Sequence, residues 1–212
     1  MARPSRPLID RERVLKTALD IIDRDGLEAV SIRRIGSELG VDGTSLYHHF
    51  TDKDAILQGV RLLALRESHV GDPPVASESW QEYVRRMTTG YRASLLRHPN
   101  AAPLLAPTLL LRPYSLVFRD RVASKLAAEG VPAKLVFPII DSVETLAYAS
   151  ALLNPDQQSA KARIAIGPDD HVPALARAVG ASPRSPNTVF DLQLKALVEG
   201  WTAMLGGDQT SR

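Results

Sequence analysis

Residues 40–57 read GVDGTSLYHHFTDKDAIL. Within that stretch Thr44 and Ser45 offer hydroxyls, Tyr47 a phenol, His48 and His49 imidazoles, and Lys53 a fixed positive charge. Hydroxyls and imidazoles both donate and accept hydrogen bonds, and small side chains around Gly43 let a backbone approach whatever is being read. A phenol O–H, an ammonium group and the free N–H groups of a helix start all hold phosphate oxygens. The set therefore suits contact with the groove and backbone of duplex nucleic acid. Two other chemistries fit worse. Adjacent helical residues point about 100° apart, so His48 and His49 make a poor chelating pair, and His69, His98 and His171 are scattered along the chain. There is no pair of catalytic carboxylates, no glycine-rich phosphate loop and no nucleophile–histidine signature. No catalytic residue, cofactor or metal ligand is assigned, and the chain reads as a non-enzyme.

Such side chains act only if a scaffold aims them. Asp10 reads as the N-cap of a first helix ending near Asp25, with Gly26 as the stop and an apolar face of Val14, Leu15, Ala18, Ile21 and Ile22. Ser31 caps a second helix through Ile32, Ile35 and Leu39 to Gly40. After the turn Val41-Asp42, Asp42 caps a short third helix carrying Leu46 and Phe50. Thr51, with Asp54 three residues on, reads as a capping box that opens a fourth helix over about 52–69. Helices two and three, joined by a glycine-bearing turn, form a helix-turn-helix arrangement. Ile35, Leu39, Val41, Leu46 and Phe50 pack inward on helix one, leaving Asp42, Gly43, Thr44, Ser45, His48 and His49 to face outward or sideways.

The run IRRIGSELGVDGTSLYHHFTDKDAIL resembles the DNA-binding signature of the TetR family of bacterial regulators. The resemblance rests on Gly40-Val41, Leu46-Tyr47, His49-Phe50, Lys53 and Leu57, preceded by Gly26, Leu27 and Ile35. It implies an all-α homodimer with a helix-turn-helix DNA-binding domain over residues 1–52 and a helical ligand-binding and dimerisation domain over 53–212. The implied partners are a double-stranded, near-palindromic DNA operator and a small-molecule inducer, and the implied action is repression. Ser31, Tyr47, His49 and Lys53 are assigned to phosphates; Arg33, Gly43, Thr44, Ser45 and His48 are assigned to bases or their border. Arg33 suits bidentate recognition of guanine. Arg3 and Arg6 are either an arm that follows the duplex or a solvated tail.

Residues 95–153, from LLRHPNAAPLL onward, resemble more loosely the sensing domain of the tetracycline-repressor subgroup. That subgroup places a metal-coordinating histidine seven residues after the histidine matching His98; here Leu105 stands there. The departure implies a largely apolar inducer bound without metal. Candidate pocket residues are Met87, Tyr91, Leu95, Leu105, Phe118, Glu144 and Tyr148, although an ordinary core stripe would use the same side chains. Beyond a linker at 71–79, the helices read as about 79–97, 102–111, 114–129, 133–153 and 188–205, with 154–187 as a mobile loop bearing one short helix near 173–179. The helices near 133–153 and 188–205 have apolar residues on two faces, which suits burial in the subunit and against a partner copy.

Composition sets the outer bounds. Hydrophobic residues make up 44% of the 212, enough for a substantial core, and the absence of cysteine excludes disulfides. Residues 1–70 hold 11 Lys/Arg against 11 Asp/Glu, so bulk charge gives no case for nucleic acid and local placement must carry it. The polar N-terminus is no signal peptide, and no continuous apolar run reaches about 18 residues. The expected location is cytoplasmic, with no membrane partner. A helical enzyme or metalloprotein, and a protein–protein adaptor that keeps the head without using DNA, are the rival readings.

Overall fold

The computed structural model describes residues 10–106, 113–167 and 169–207. Arg3, Arg6 and residues 107–111 of the helix expected over about 102–111 lie outside the described residues, among which there is no strand. The chain divides into two compact units, one within Met1–Asp72 and Ala93–Leu111, the other within Pro73–Arg92 and Arg112–Arg212.

The first unit holds α1 (Arg11–Asp25), α2 (Ile32–Leu39), a 3-10 helix (Gly43–His48), α3 (Lys53–Arg66), the end of α4 (Trp80–Arg97), a 3-10 turn (Pro99–Ala101) and α5 (Ala102–Leu105). Its boundaries follow from capping. The Asp10 carboxylate accepts from the Arg13 N–H at 2.7 Å, and Ser31 Oγ accepts from the Arg34 N–H at 3.1 Å. Both satisfy an N–H that the helix cannot, a contribution of about 1 kcal/mol each. The α2 helix stops at Gly40, whose φ of 70° is the left-handed conformation that only glycine adopts without strain. The cap of α3 differs from expectation. Asp52, not Thr51, is the N-cap and accepts from the Ala55 N–H at 2.7 Å; Thr51 Oγ1 donates to the Asp52 carboxylate instead. An ionised oxygen is the better acceptor at a helix start.

The core of this unit is Val14, Ala18, Ile21, Ile22, Ile35, Leu46, Phe50, Ile56 and Val60, all buried. Leu39 and Val41, expected inside, are only half-buried.

The second unit holds the opening of α4 with α6 (Pro113–Ala128), α7 (Ala133–Leu152), α8 (Ala160–Arg163), α9 (Pro173–Ala181) and α10 (Pro186–Gly207), α7 packing on α6 and α10 and α8 on α9. Residues 154–187 carry two short helices rather than the one expected, because Ser159 caps α8 through the Ala162 N–H and Pro173 starts α9. Trp80, Tyr83, Val84, Met87 and Tyr91 make the buried stripe of α4. The α10 helix buries Phe190, Leu194 and Val198 at successive turns, and Trp201 Nε1 donates to Ser142 Oγ of α7 at 3.0 Å.

Among the described residues one helix, Ala133–Leu152, is long and apolar enough by length and composition to cross a membrane, although polar residues interrupt its apolar run. It carries Asp141 and Glu144, and it packs on α6 and α10. A core helix of a helical body has the same character.

Candidate nucleic-acid interface

The helix-turn-helix is set by a contact between two glycine backbones. A Cβ built on Gly36 of α2 would lie 3.0 Å from Gly43 Cα, Gly43 N and Val41 O. A Cβ on Gly43 would meet Ile32 Cγ2 at 3.3 Å and Ile32 O at 3.4 Å. Gly43 therefore serves the crossing. A side chain added there would meet Ile32 of α2, so the position keeps only its backbone free for any other contact. The segment Gly43–His48 is wound as a 3-10 helix rather than the short α-helix expected, with Ser45 N–H donating to Asp42 O at 3.0 Å. Six residues opening on Gly-Thr-Ser have little α-helical propensity, and the tighter i→i+3 winding suits such short pieces.

The first turn is fixed by Asp42. One carboxylate oxygen accepts from both the Thr44 N–H and the Thr44 hydroxyl, each at 2.8 Å. These bonds, the backbone one first, hold the Asp42 carboxyl below the usual range. The Thr44 hydroxyl proton is thereby used, and its lone pairs are what it presents outward. Ser31 Oγ is similarly used as the α2 cap, leaving its hydroxyl proton to donate.

The other end is fixed by Arg11, which composition cannot distinguish from its neighbours. Its guanidinium donates to His49 O at 2.5 Å and sits 4.2 Å above the Phe50 ring. A cation thus joins the start of α1 to the end of the 3-10 helix.

Around this frame Tyr47 is 57% exposed. Arg33, Thr44 and His48 are exposed; Ser45, His49 and Lys53 are half-buried. Two neighbouring cations are paired: Arg34 Nε donates to Glu38 at 2.9 Å and its Nη2 to Asp25 at 2.8 Å, with Arg24 on the same two carboxylates. Hydrogen bonds from Arg34 and then Arg24 hold the Glu38 carboxyl low. Arg33 is thus left outward while Arg34 is tied down, a distinction the sequence Arg33-Arg34 does not reveal.

The expected pocket residues divide between the units. Leu95 and Leu105 belong to the first and are buried. Met87, Tyr91, Phe118, Glu144 and Tyr148 belong to the second, with Met87, Tyr91 and Glu144 buried and the other two half-buried. Glu144 is not a free polar group. Both guanidinium arms of Arg119, on α6, grip its carboxylate, one at 3.1 Å. That bond holds the Arg119 guanidinium charged, with Asp141 and Tyr91 also facing it electrostatically. Among the described residues no cluster of histidine and carboxylate ligands could hold a metal ion.

With this geometry in place, similarity to known proteins decides the lineage. Residues 14–60 match the family described as bacterial regulatory proteins, tetR family, and residues 73–205 match the tetracyclin repressor-like C-terminal domain. The chain belongs to the TetR family. The class D tetracycline repressor protein of Escherichia coli is 26% identical over 172 residues, 80% of this chain and 77% of that protein. Apo ActR from Streptomyces coelicolor is 27% identical, with a TM-score of 0.73 over 98% of this chain and all of that one. ActR in complex with actinorhodin is 28% identical, with a TM-score of 0.68 over 93% and 99%. TetR-family members are ligand-responsive DNA-binding repressors that dimerise; they are regulators, not enzymes. The all-α architecture, with an N-terminal helix-turn-helix and a C-terminal helical domain, is that of the family.

Proposed function

We propose that this TetR-family chain is a cytoplasmic repressor, released from a near-palindromic operator when a small, largely apolar molecule binds its C-terminal domain. The observation that carries the reading is the outward face fixed by the Gly36–Gly43 crossing, with Tyr47 exposed beside Thr44 and His48. On this reading the DNA-binding domain is 1–52 and the remainder, 53–212, senses ligand and pairs subunits. Tyr47, His49, Lys53 and Ser31 hold phosphates. Arg33, Thr44, Ser45 and His48 face bases, Gly43 borders them and lets the backbone approach, and Arg33 reads guanine at about 1–3 kcal/mol of discrimination.

Met87, Tyr91, Phe118 and Tyr148 supply apolar and aromatic surface for the ligand, and the Arg119–Glu144 pair a polar group of either sign. Leu105, at the place of a metal-coordinating histidine, favours recognition without a metal ion. The ligand acts through its differential affinity for two conformations of the dimer, only one of which fits the operator.

An electrophoretic mobility shift with the DNA upstream of the chain's own gene tests the reading. Retardation at low salt, lost in Lys53→Ala, supports it; no retardation of any such fragment refutes it. The ligand half is tested separately with actinorhodin, the molecule bound to ActR, as first probe. Release of the retarded band supports a shared aromatic ligand class, and a thermal shift without release assigns binding without induction.

A further inference from the structure

His98 lies outside the DNA-reading face and no role above uses it. It is buried, 5% exposed, in the first unit. Both ring nitrogens face carboxylates: Nδ1 lies 2.7 Å from Asp23 Oδ2, near the end of α1, and Nε2 lies 3.2 Å from Glu67 Oε2, just past α3. The assembly is tied in further by Asn100 Nδ2, which donates to Asp23 O at 2.8 Å, and by Arg97 Nη1, which donates to Glu67 O at 3.0 Å. Carboxylates only accept hydrogen bonds, and a neutral imidazole has one donor. Both contacts are satisfied together only when the ring carries two protons. The charged groups facing the ring are Asp23 from α1 and Glu67 from the end of α3, with Arg97 of α4 behind Glu67 at 3.8 Å.

We propose that His98 is a positioning residue for DNA binding: its doubly protonated ring bridges α1 and α3 in the operator-binding arrangement, and loss of one proton loosens that bridge. The proposal rests on the reading of the chain as an operator-binding regulator. The leverage comes from the fold. The bridge joins the C-terminal ends of α1 and α3, whereas Arg11 at the start of α1 holds His49 O and Lys53 starts α3. With 14 residues in α3, about 21 Å of rigid helix separates Glu67 from the DNA-facing end. When the ring loses a proton, a nitrogen lone pair faces a carboxylate oxygen. The Glu67 contact is the longer of the two and its carboxylate is 36% exposed, so this end opens first. Opening lets α1 and α3 turn against each other, which displaces Arg11 and Lys53 at the recognition end. Because the bridge needs that proton, operator affinity is higher at the acid end of the pH range than at the alkaline end, by at most about tenfold per pH unit for one linked proton.

The test compares full-length wild type with His98→Gln, which keeps a donor and an acceptor but does not titrate. Operator affinity is measured by fluorescence anisotropy from pH 6 to 9 at fixed salt. Both proteins retain His48 and His49, so titration at the DNA face cancels in the comparison. A steeper loss of affinity in wild type supports the proposal, and parallel profiles overturn it while leaving operator binding intact. If neither protein binds operator at any pH, the regulator reading falls and the proposal with it. If His98→Gln does not fold, the imidazole resonances of wild-type His98 are titrated by NMR with and without operator. Tighter proton binding in the complex supports the bridge, and identical titrations overturn it.

Discussion

At the scale of single residues, neighbouring side chains on the proposed DNA face differ in how far the protein itself uses them. Tyr47 has an exposed phenol, whereas Arg34 spends its guanidinium on Glu38 and Asp25. Tyr47→Phe removes one hydroxyl, so operator affinity is expected to fall by a factor of about 2–10, the worth of one hydrogen bond, with the melting temperature unchanged. Lys53→Ala is expected to weaken binding to all sequences and to lower the slope of log affinity against log salt by about one; an unchanged slope removes Lys53 from the phosphate set. Asp42 gives a pH test. Its carboxyl is held low by Thr44, so its contribution to stability is complete well above its ordinary value of 3.8 and is lost as pH falls through the lower folded value. The melting-temperature advantage of wild type over Asp42→Ala is therefore expected to be flat from pH 7 to 5 and to shrink below 3.8. In the body, Glu144→Gln leaves the Arg119 guanidinium, only 18% exposed, without its countercharge. A loss of about 2–4 kcal/mol in chemical denaturation is expected, and the double change Arg119→Met with Glu144→Leu should recover much of it.

At the scale of elements, the helix-turn-helix depends on space rather than charge. Gly36→Ala places a methyl 3.0 Å from the backbone of Gly43 and from Val41 O, and a backbone cannot rotate away as a side chain can. The crossing must open, at about 1–3 kcal/mol, and operator binding should fall more than stability does. Circular dichroism melts beside anisotropy measurements separate the two effects; wild-type affinity in Gly36→Ala would show that the crossing tolerates widening. What was legible in the sequence follows the same division. The extents of α1 and α2 could be read because Asp10, Gly26, Ser31 and Gly40 act on their immediate neighbours. The α3 cap was displaced by one residue because Thr51 and Asp52 are both competent caps and only geometry chooses. The contact of Gly43 with α2 was not legible because a missing side chain does not say whether it admits a ligand or another helix. Arg119–Glu144 and His98–Asp23 join residues 25 and 75 positions apart, and no local spacing connects such partners. The outward placement of Asp42, Thr44 and His48 was legible; the groups that hold that face rigid were not.

At the scale of the whole molecule, a single subunit leaves an apolar face uncovered. While Phe190, Leu194 and Val198 of α10 are buried, Leu192 and Met204 are 54% and 58% exposed, with Ala196, Gly200 and Ala203 also outward. On α7, Phe137 is 61% exposed and Leu152 42%. The TetR family dimerises, and these two helices, near 133–153 and 188–205, are the surface proposed for it. Small residues on α10 let a facing helix approach closely, and a two-fold axis would bring each patch against its own copy. A stable interface buries about 1,200–2,000 Å² in all, which two helices per subunit can supply. On the proposed reading the dimer matters because its recognition segments enter successive major grooves about 34–36 Å apart; one head alone would make half the contacts and lose the gain from linked binding. Leu192→Glu combined with Met204→Glu puts four carboxylates into a symmetric interface without touching the buried stripe of α10. Light scattering behind a sizing column is expected to show a folded monomer, and operator affinity should fall at least a hundredfold, while binding to an isolated half-site changes little. A variant that remains dimeric would place the pairing face elsewhere, and a monomer that still binds the full operator tightly would remove the two-head geometry from the mechanism.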